Sequence, residues 1–156
     1  IYWMSTSPYI TLAQIKAGLP EDITSSLLDD TGSGSADPMS WSAIVAAVTR
    51  EINGKVGQRY PLPFADPQPD VLCDAAFVLA AEMCYRRRGF YDTANPWNDR
   101  AIGIRGTKGQ FRGQAGLLDD IASGTVPIVA ISKVSARAVA ITAPAKTVSS
   151  LGNTMM

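Results

Sequence analysis

The residues best equipped for chemistry are two cysteines, Cys73 and Cys84, and two pairs of adjacent aspartates, at 29–30 and 119–120. The chain contains no histidine, which is the commonest general base and zinc ligand. Neither cysteine therefore has a histidine to activate it, and both lie in an apolar segment that disfavours the thiolate. Adjacent aspartates point to different faces, so their spacing alone does not make a catalytic dyad. We predict no enzyme and no cofactor; a carboxylate-based enzyme is the weaker alternative.

The segment DDTGSGSADP, residues 29–38, superficially resembles a calcium-binding loop. An EF-hand loop carries oxygen ligands at alternate positions and a glutamate at its twelfth position. Asp29, Thr31 and Ser33 meet the first requirement, but the twelfth position is Ser40. We therefore predict no metal site, and instead an exposed loop that ends where Asp37 caps the next helix.

The stretch GIRGTKGQFRGQAG, residues 103–116, contains five glycines, which a loop or a closely packed helix would explain. A phosphate-binding loop needs G-x-x-x-x-G-K-[ST], or G-x-G-x-x-G between strand and helix, and neither context is present. A helix agrees with the apolar period, because large apolar residues recur every seven positions. These residues are Trp97, Ile104, Phe111 and Leu118. We predict one helix from about Pro96 to Ser123, ended by Gly124, in preference to a glycine-rich surface loop.

Three basic residues would share one face of that helix. At 100° per residue, Arg105, Lys108 and Arg112 fall within about 60° of one another, beside the apolar stripe. The glycines would occupy the remaining side, where another helix can approach closely. The strip is either a contact for an anionic partner or a solvated surface.

The pattern of apolar residues predicts an all-α fold, a small bundle of about four to five helices. Thr11 and Gln14 form a capping box at the first helix, and Pro20 opens the second. A strong amphipathic stripe predicts a third helix over residues 38–60. The fourth helix, over residues 69–88, is apolar around most of its circumference, so we predict that it lies at the centre.

Three consecutive arginines, at positions 86–88, close the fourth helix. Cations stabilise a helix C-terminus through the helix dipole. A solvated helix end and a contact with acidic protein or phosphate explain these arginines equally well.

The last thirty or so residues differ from the rest of the chain. The total charge is balanced, at 14 basic and 14 acidic residues, but residues 125–156 contain three basic residues and no acid. Their β-branched residues disfavour helix, and nothing follows with which they could build a core. We predict an extended C-terminal arm, able to form β structure, that binds a partner. Its candidate contacts are Ile128, Ile131, Lys133, Arg137, Val139 and Ile141.

Several motifs, taken in order, resemble a family of phage proteins. The first is Tyr9-Ile10-Thr11-Leu12 before a short helix, and the second is the acidic loop from Asp29 to Asp37. The others are Arg59-Tyr60-Pro61-Leu62-Pro63, which closes a long helix, and Asp120-Ile121-Ala122-Ser123-Gly124. Over residues 9–128 the chain resembles the Mu-like neck proteins of tailed bacteriophages, the head-tail adaptors or head-completion proteins. The glycine-rich stretch departs from this resemblance, because an alanine- and leucine-rich helix is expected there.

The resemblance implies a structural role in the virion neck, with the host cytoplasm as the location before assembly. Its implied partners are further copies in a ring, typically of twelve, the portal, a tail terminator or stopper, and double-stranded DNA in the lumen. The basic strip would then face the lumen or an adjacent subunit. The chain would then be organised as an N-terminal extension at 1–8, a helical adaptor domain at 9–124 and the portal-binding arm at 125–156.

Two other functions remain open, a helical nucleic-acid-binding module and the carboxylate-based enzyme. The balanced charge argues against the first, because nucleic-acid-binding domains are usually strongly basic. No apolar run approaches the 18 or so residues of a membrane span, so no membrane contact is expected.

Overall fold

The computed structural model describes residues 8–107, 109 and 113–128. These residues form six α-helices and a 3-10 helix at Asp92–Ala94, and no strand. The helices are α1 (Leu12–Gly18), α2 (Glu21–Leu28), α3 (Pro38–Val56), α4 (Asp70–Arg87), α5 (Asn98–Arg105) and α6 (Leu117–Ser123). The predicted all-α class is confirmed. Within the same residues, no helix is long and apolar enough to cross a membrane.

The helix starts follow the predicted capping chemistry. The Thr11 hydroxyl accepts a hydrogen bond from the Gln14 backbone, and the Gln14 side chain accepts one from the Thr11 backbone. Asp37 caps α3 by accepting a bond of 2.9 Å from the Met39 amide, and Pro38 is the first helical residue. α3 ends at Val56, before the predicted Tyr60, and hydrogen-bonded turns complete the path to Pro61.

The core is built around α3 and α4. The apolar stripe of α3 is fully buried at Val48, Ile52 and Val56, as its spacing predicts. α4 contacts four other helices, α1, α2, α3 and α5, and its apolar residues are buried on several sides. The prediction that α4 is the central helix is confirmed.

The predicted single helix from Pro96 to Ser123 is wrong. α5 ends at Arg105, and Gly106 adopts a φ of 77°, which only glycine accepts readily. The chain resumes a helix at Leu117, so the fifth predicted helix is two short helices joined by a glycine-rich segment. Trp97, Ile104 and Leu118 still pack into or against the core, but they do so from separate elements. For these three residues the seven-residue spacing therefore reflects a shared core and not a continuous helix, while Phe111 lies outside the described residues.

Backbone contacts close the base of the joining segment, which we call the 106–116 loop. Gly106 and Ala115 form an isolated antiparallel bridge, and the Thr107 amide donates to the Gln114 carbonyl at 2.8 Å. A Cβ at Gly106 would lie 2.4 Å from the Gly116 nitrogen, a distance that no side chain tolerates. Two of the five glycines thus allow the two ends of the loop to touch.

Candidate functional site

A cluster of four charged side chains joins three helices, and we call it the charged cluster. It consists of Glu51 on α3, Glu82 and Arg86 on α4, and Arg105 on α5. Arg105 donates to Glu51 from Nε at 2.6 Å and to Glu82 from Nη1 at 3.0 Å. Arg86 donates to the second Glu82 oxygen, Oε1, at 2.7 Å. Glu82 is only 1% exposed, so both of its carboxylate oxygens are paired inside the protein.

The electrostatics of the charged cluster fit a fixed structural role. Burial alone lowers the pKa of Arg105, but the hydrogen bonds and charges of Glu51 and Glu82 outweigh burial and raise it. The arginine therefore stays charged, and its guanidinium is bound to two carboxylates of its own chain. Two carboxylates and two guanidiniums also balance in charge. This arrangement fixes the positions of α3, α4 and α5 relative to one another. Within the cluster it presents no free base or nucleophile.

A second ion pair fastens α6 to α3. Lys55 donates to Asp119 Oδ1 at 2.7 Å, while Asp119 Oδ2 accepts the Gly116 amide at 3.3 Å. Asp119 is 6% exposed, so its carboxylate is both a helix cap and a buried ion partner. The fold thus gives the first aspartate of the Asp119–Asp120 pair a structural role.

The arginines at 86–88 contact acidic and carbonyl groups of their own chain. Arg87 is paired with Asp30, and Arg88 lies 3.3 Å from the same carboxylate. Arg88 also donates to the Leu27 carbonyl at 3.0 Å, at the end of α2. The acidic partner considered from the sequence is therefore present within the chain, in the loop after α2.

The loop at 29–37 is organised by its first aspartate. The Asp29 carboxylate accepts hydrogen bonds from the backbone of Thr31, Ser33 and Gly34. These bonds, led by that of Gly34, lower the pKa of Asp29. The Asp29 carboxylate, the first of the oxygen ligands that suggested calcium, therefore binds backbone amides of its own loop as an Asx-type cap. No group of three or more His, Cys, Asp or Glu residues suited to a metal occurs in the described ranges.

The two cysteines have environments that oppose thiolate formation. Cys84 is buried, and burial raises the pKa of its thiol to about 12. Burial also raises the pKa of Cys73, helped by the nearby charges of Asp70 and Asp74. Both environments therefore disfavour the thiolate, which is the nucleophilic form of cysteine.

The motifs RYPLP and DIASG meet at one end of the bundle, which we call the motif contact. Arg59 Nη1 donates to the Ser123 carbonyl at 3.4 Å, and a Cβ at Gly124 would lie 2.4 Å from the guanidinium carbon. Gly124 has a φ of 85° and ends α6 as predicted. The Tyr60 hydroxyl accepts the Ile128 amide at 3.1 Å. The two motifs thus form one surface, over which the chain passes into residues 125–128.

The predicted site residues fall in different places. Arg105 is in the charged cluster, 23% exposed, while Lys108 and Arg112 lie outside the described residues. The helical face that grouped these three does not exist, since α5 ends at Arg105. Their proposed contact with DNA or a neighbouring subunit stays a prediction.

Of the arm residues, Ile128 is described and is buried against the body, at 9% exposure. Ile131, Lys133, Arg137, Val139 and Ile141 lie outside the described residues. The role of these residues in portal binding also stays a prediction.

Sequence reasoning missed Glu51 and Glu82 as the partners of Arg105. One signal was present: Glu82 interrupts the apolar run VLAAEMCY in the central helix, and a buried carboxylate requires a cationic partner. Arg86, four residues later, was the local candidate. Arg105 comes from another helix, and no local pattern connects it to Glu82.

Comparison with known proteins gives one family and no individual relative. No curated protein and no solved structure matches the chain significantly. A family model described as bacteriophage Mu, Gp36 matches residues 9–141, which include the capping box, the acidic loop and both halves of the motif contact. The chain therefore belongs to the bacteriophage Mu Gp36 family, which indicates a structural or morphogenetic phage protein.

Proposed function

We propose that this protein is a ring-forming head-tail adaptor of the phage neck. In this role it binds the portal beneath the DNA-filled head, extends or seals the DNA channel, and offers the tail terminator or stopper a docking surface. One observation carries the proposal: the family match continues to residue 141, well past the end of α6 at Ser123. The arm as far as residue 141 is thus part of the family unit, and its described start places Ile128 in the helical core.

The body supplies a rigid base for such an arm. The Tyr60 hydroxyl, in the turn after α3, and the buried Ile128 fix the start of the arm on the body. Beyond that point the arm is apolar and acid-free, so it gains stability only against a surface that buries its side chains and supplies carboxylates. The portal is the proposed surface, and twelve copies in a ring are the proposed assembly.

The charge distribution disfavours the alternative of a nucleic-acid-binding module. Residues 1–124 contain 14 acidic and 11 basic residues, and among the basic ones Lys55, Arg86, Arg87, Arg88 and Arg105 are paired with carboxylates. A body with this balance does not supply the basic surface that phosphate binding requires.

Deletion of residues 130–156 tests the proposal, because it keeps Ile128 and the motif contact. We expect the shortened protein to melt cooperatively within a few degrees of the full chain, yet fail to bind the portal and fail to complete heads. Pull-down with purified portal and electron microscopy of particles from a complemented null phage are the measurements. A deletion variant that still docks and yields particles with tails would overturn the proposal.

A further inference from the structure

A narrow groove lies near the point where the arm leaves the body. Its volume is about 140 Å³, and the residues that line it include Val45 of α3 and, after that helix, Pro63 and Phe64. A space of this size with apolar walls accepts one aliphatic or aromatic side chain. We call this feature the Phe64 groove.

The Phe64 groove adjoins a larger cleft, with a volume of about 670 Å³. Three residues line both features, namely Pro8, Tyr9 and Gln68. The cleft is also lined by three carboxylates, those of Asp66, Asp70 and Asp74. No lysine or arginine is among the described residues that line it. We call this feature the acidic cleft.

Two aspartates of α4 give the acidic cleft a negative field. Asp70 and Asp74 are exposed and lie four residues apart, a spacing at which like charges repel on a helix. The field reaches the Cys73 thiol, which also lines the cleft. Burial raises the pKa of this thiol, and the charges of Asp70 and Asp74 raise it further. A cationic occupant would relieve the repulsion between the two aspartates.

The described part of the arm ends close to the Phe64 groove. The Ile128 amide donates to the Tyr60 hydroxyl at 3.1 Å, and the ring centroids of Tyr60 and Phe64 are 6.2 Å apart. The residues after Ile128 therefore start next to a wall of the groove. They lie outside the described residues, so their sequence and their point of departure define what they can reach.

The order of residues in the arm matches the order of the two surfaces. Residues 129–131 are uncharged and end in Ile131, and the first cations of the arm follow at Lys133 and Arg137. At full extension, Ile131 reaches about 10 Å from Ile128, and Lys133 and Arg137 reach about 17 and 30 Å. An apolar residue thus comes first, as the groove requires, and cations come next, as the cleft requires.

One other segment starts at the same place, residues 1–7, because Pro8 lines both the groove and the cleft. This segment carries no charged side chain, whereas the arm is basic and contains no acid. Charge complementarity with the acidic cleft therefore favours the arm as the occupant.

We propose that residues 129–137 of the arm bind their own body in the free subunit, with Ile131 in the Phe64 groove and Lys133 and Arg137 in the acidic cleft. The attachment at Tyr60 favours this contact over one with another copy, because a short tether gives an effective concentration of about millimolar. Binding of the portal would then withdraw the arm from the body. The withdrawal rests on the proposed function, whereas the contact in the free subunit does not.

Disulfide formation with Cys73 tests the contact, because Cys73 lines the acidic cleft and the other natural cysteine, Cys84, is buried. Ser135→Cys places a thiol between the two cations of the arm and keeps both of them. Under mild oxidation of the free full-length protein, we expect a disulfide within one chain between position 135 and Cys73. Ser149→Cys is the matched control, and we expect it to pair with Cys73 roughly tenfold more slowly, because only a docked segment has a high local concentration at the cleft. Peptide mass spectrometry measures both products.

A charge exchange tests the role of the aspartates. In the Ser135→Cys protein, Lys133→Glu with Arg137→Glu should slow the pairing, and the further changes Asp70→Lys and Asp74→Lys should restore it. Each rate is divided by that of the Ser149→Cys protein with the same changes, which corrects for altered reactivity of Cys73. Charge reversal without an effect on this ratio would overturn the assigned contacts in the acidic cleft.

The other outcomes decide who occupies the cleft. Equal pairing rates at positions 135 and 149 would overturn the contact, and so would a disulfide-linked dimer in place of the product within one chain. A pairing rate at position 135 that rises when residues 1–7 are deleted would show that the N-terminal segment is the usual occupant, and would overturn it too.

Purified portal separates this inference from the proposed function. We expect added portal to slow the pairing of position 135 with Cys73. A protein that binds the portal through its arm but shows no pairing preference at position 135 would overturn this inference alone. A protein that pairs as expected, but binds the portal equally well without residues 130–156, would overturn the proposed role of the arm and leave the contact in the free subunit.

Discussion

At the scale of single residues, Arg105 connects α5 to both long helices. Its guanidinium is bound by Glu51 and Glu82, and its loss would leave Glu82 buried with one cation instead of two. We expect Arg105→Met to lower the free energy of unfolding by about 1 to 3 kcal/mol, because a buried carboxylate loses a charged hydrogen bond. Urea denaturation measures the effect.

Arg50→Met is the control for Arg105→Met, since Arg50 is an exposed arginine on α3. Surface substitutions of this kind change stability by no more than about 0.5 kcal/mol. If the two variants unfold at the same urea concentration, the charged cluster is not a source of stability.

The carboxylates of the acidic loop make a separate prediction about pH. Hydrogen bonds, led by those of Arg87 and Gly34 respectively, hold the pKa values of Asp30 and Asp29 below their ordinary value of 3.8. A lowered pKa means that the folded state favours the ionised form. Its contribution to stability is therefore complete above about pH 4 and is lost as the pH falls through the lowered values.

We expect Asp29→Asn to flatten the fall of the melting temperature between pH 5 and pH 3, because the variant has one fewer carboxylate to protonate. Asp99→Asn removes an exposed aspartate outside the loop and serves as the control. An unchanged acid slope in Asp29→Asn would show that its loop bonds do not differ between folded and unfolded states.

At the scale of elements, a glycine within α5 and a glycine of the 106–116 loop have distinct structural roles, which a pair of substitutions separates. Gly103 lies inside α5 with open space where a Cβ would be, whereas Gly106 has a positive φ and a close backbone neighbour. We expect Gly103→Ala to stabilise the protein by about 0.5 to 1 kcal/mol. Gly106→Ala should destabilise it by on the order of 1 to 3 kcal/mol from backbone strain alone. Thermal melts of both variants and the parent protein measure these changes in stability. Equal effects of the two substitutions would contradict the close contact between the two ends of the 106–116 loop.

The elements also mark the limit of what the sequence predicts. Capping chemistry is local, so Thr11 and Asp37 located their helix starts correctly, and the α3 stripe identified its own buried face. The error came between α5 and α6, where a regular apolar period continued across a break. The helix ends at Gly106, which has a positive φ and forms a bridge with Ala115, and that bridge depends on tertiary structure. The partners of Arg105 were missed for the same reason.

At the scale of the whole molecule, charge reversal tests the predicted role of the basic residues of the 106–116 loop. Lys108 and Arg112 lie between the closed ends of the loop in the sequence, while Arg105 belongs to the charged cluster. We expect Lys108→Glu combined with Arg112→Glu to leave the melting temperature unchanged but to impair ring assembly or DNA retention. Arg50→Glu is the control on the body surface. Normal particles from the double variant would favour a solvated loop.

The closed base of the 106–116 loop also makes it a suitable place for an inserted label. Because Gly106 and Ala115 are held together, the distance between α5 and α6 does not depend on what lies between them. Lengthening such a loop costs little entropy, about 0.6 kcal/mol for each doubling. A short epitope placed after Gly109 should therefore leave the helical body intact. Antibody access to that epitope, before and after assembly of the proposed neck, would report whether the loop faces the outside or the interior of the particle.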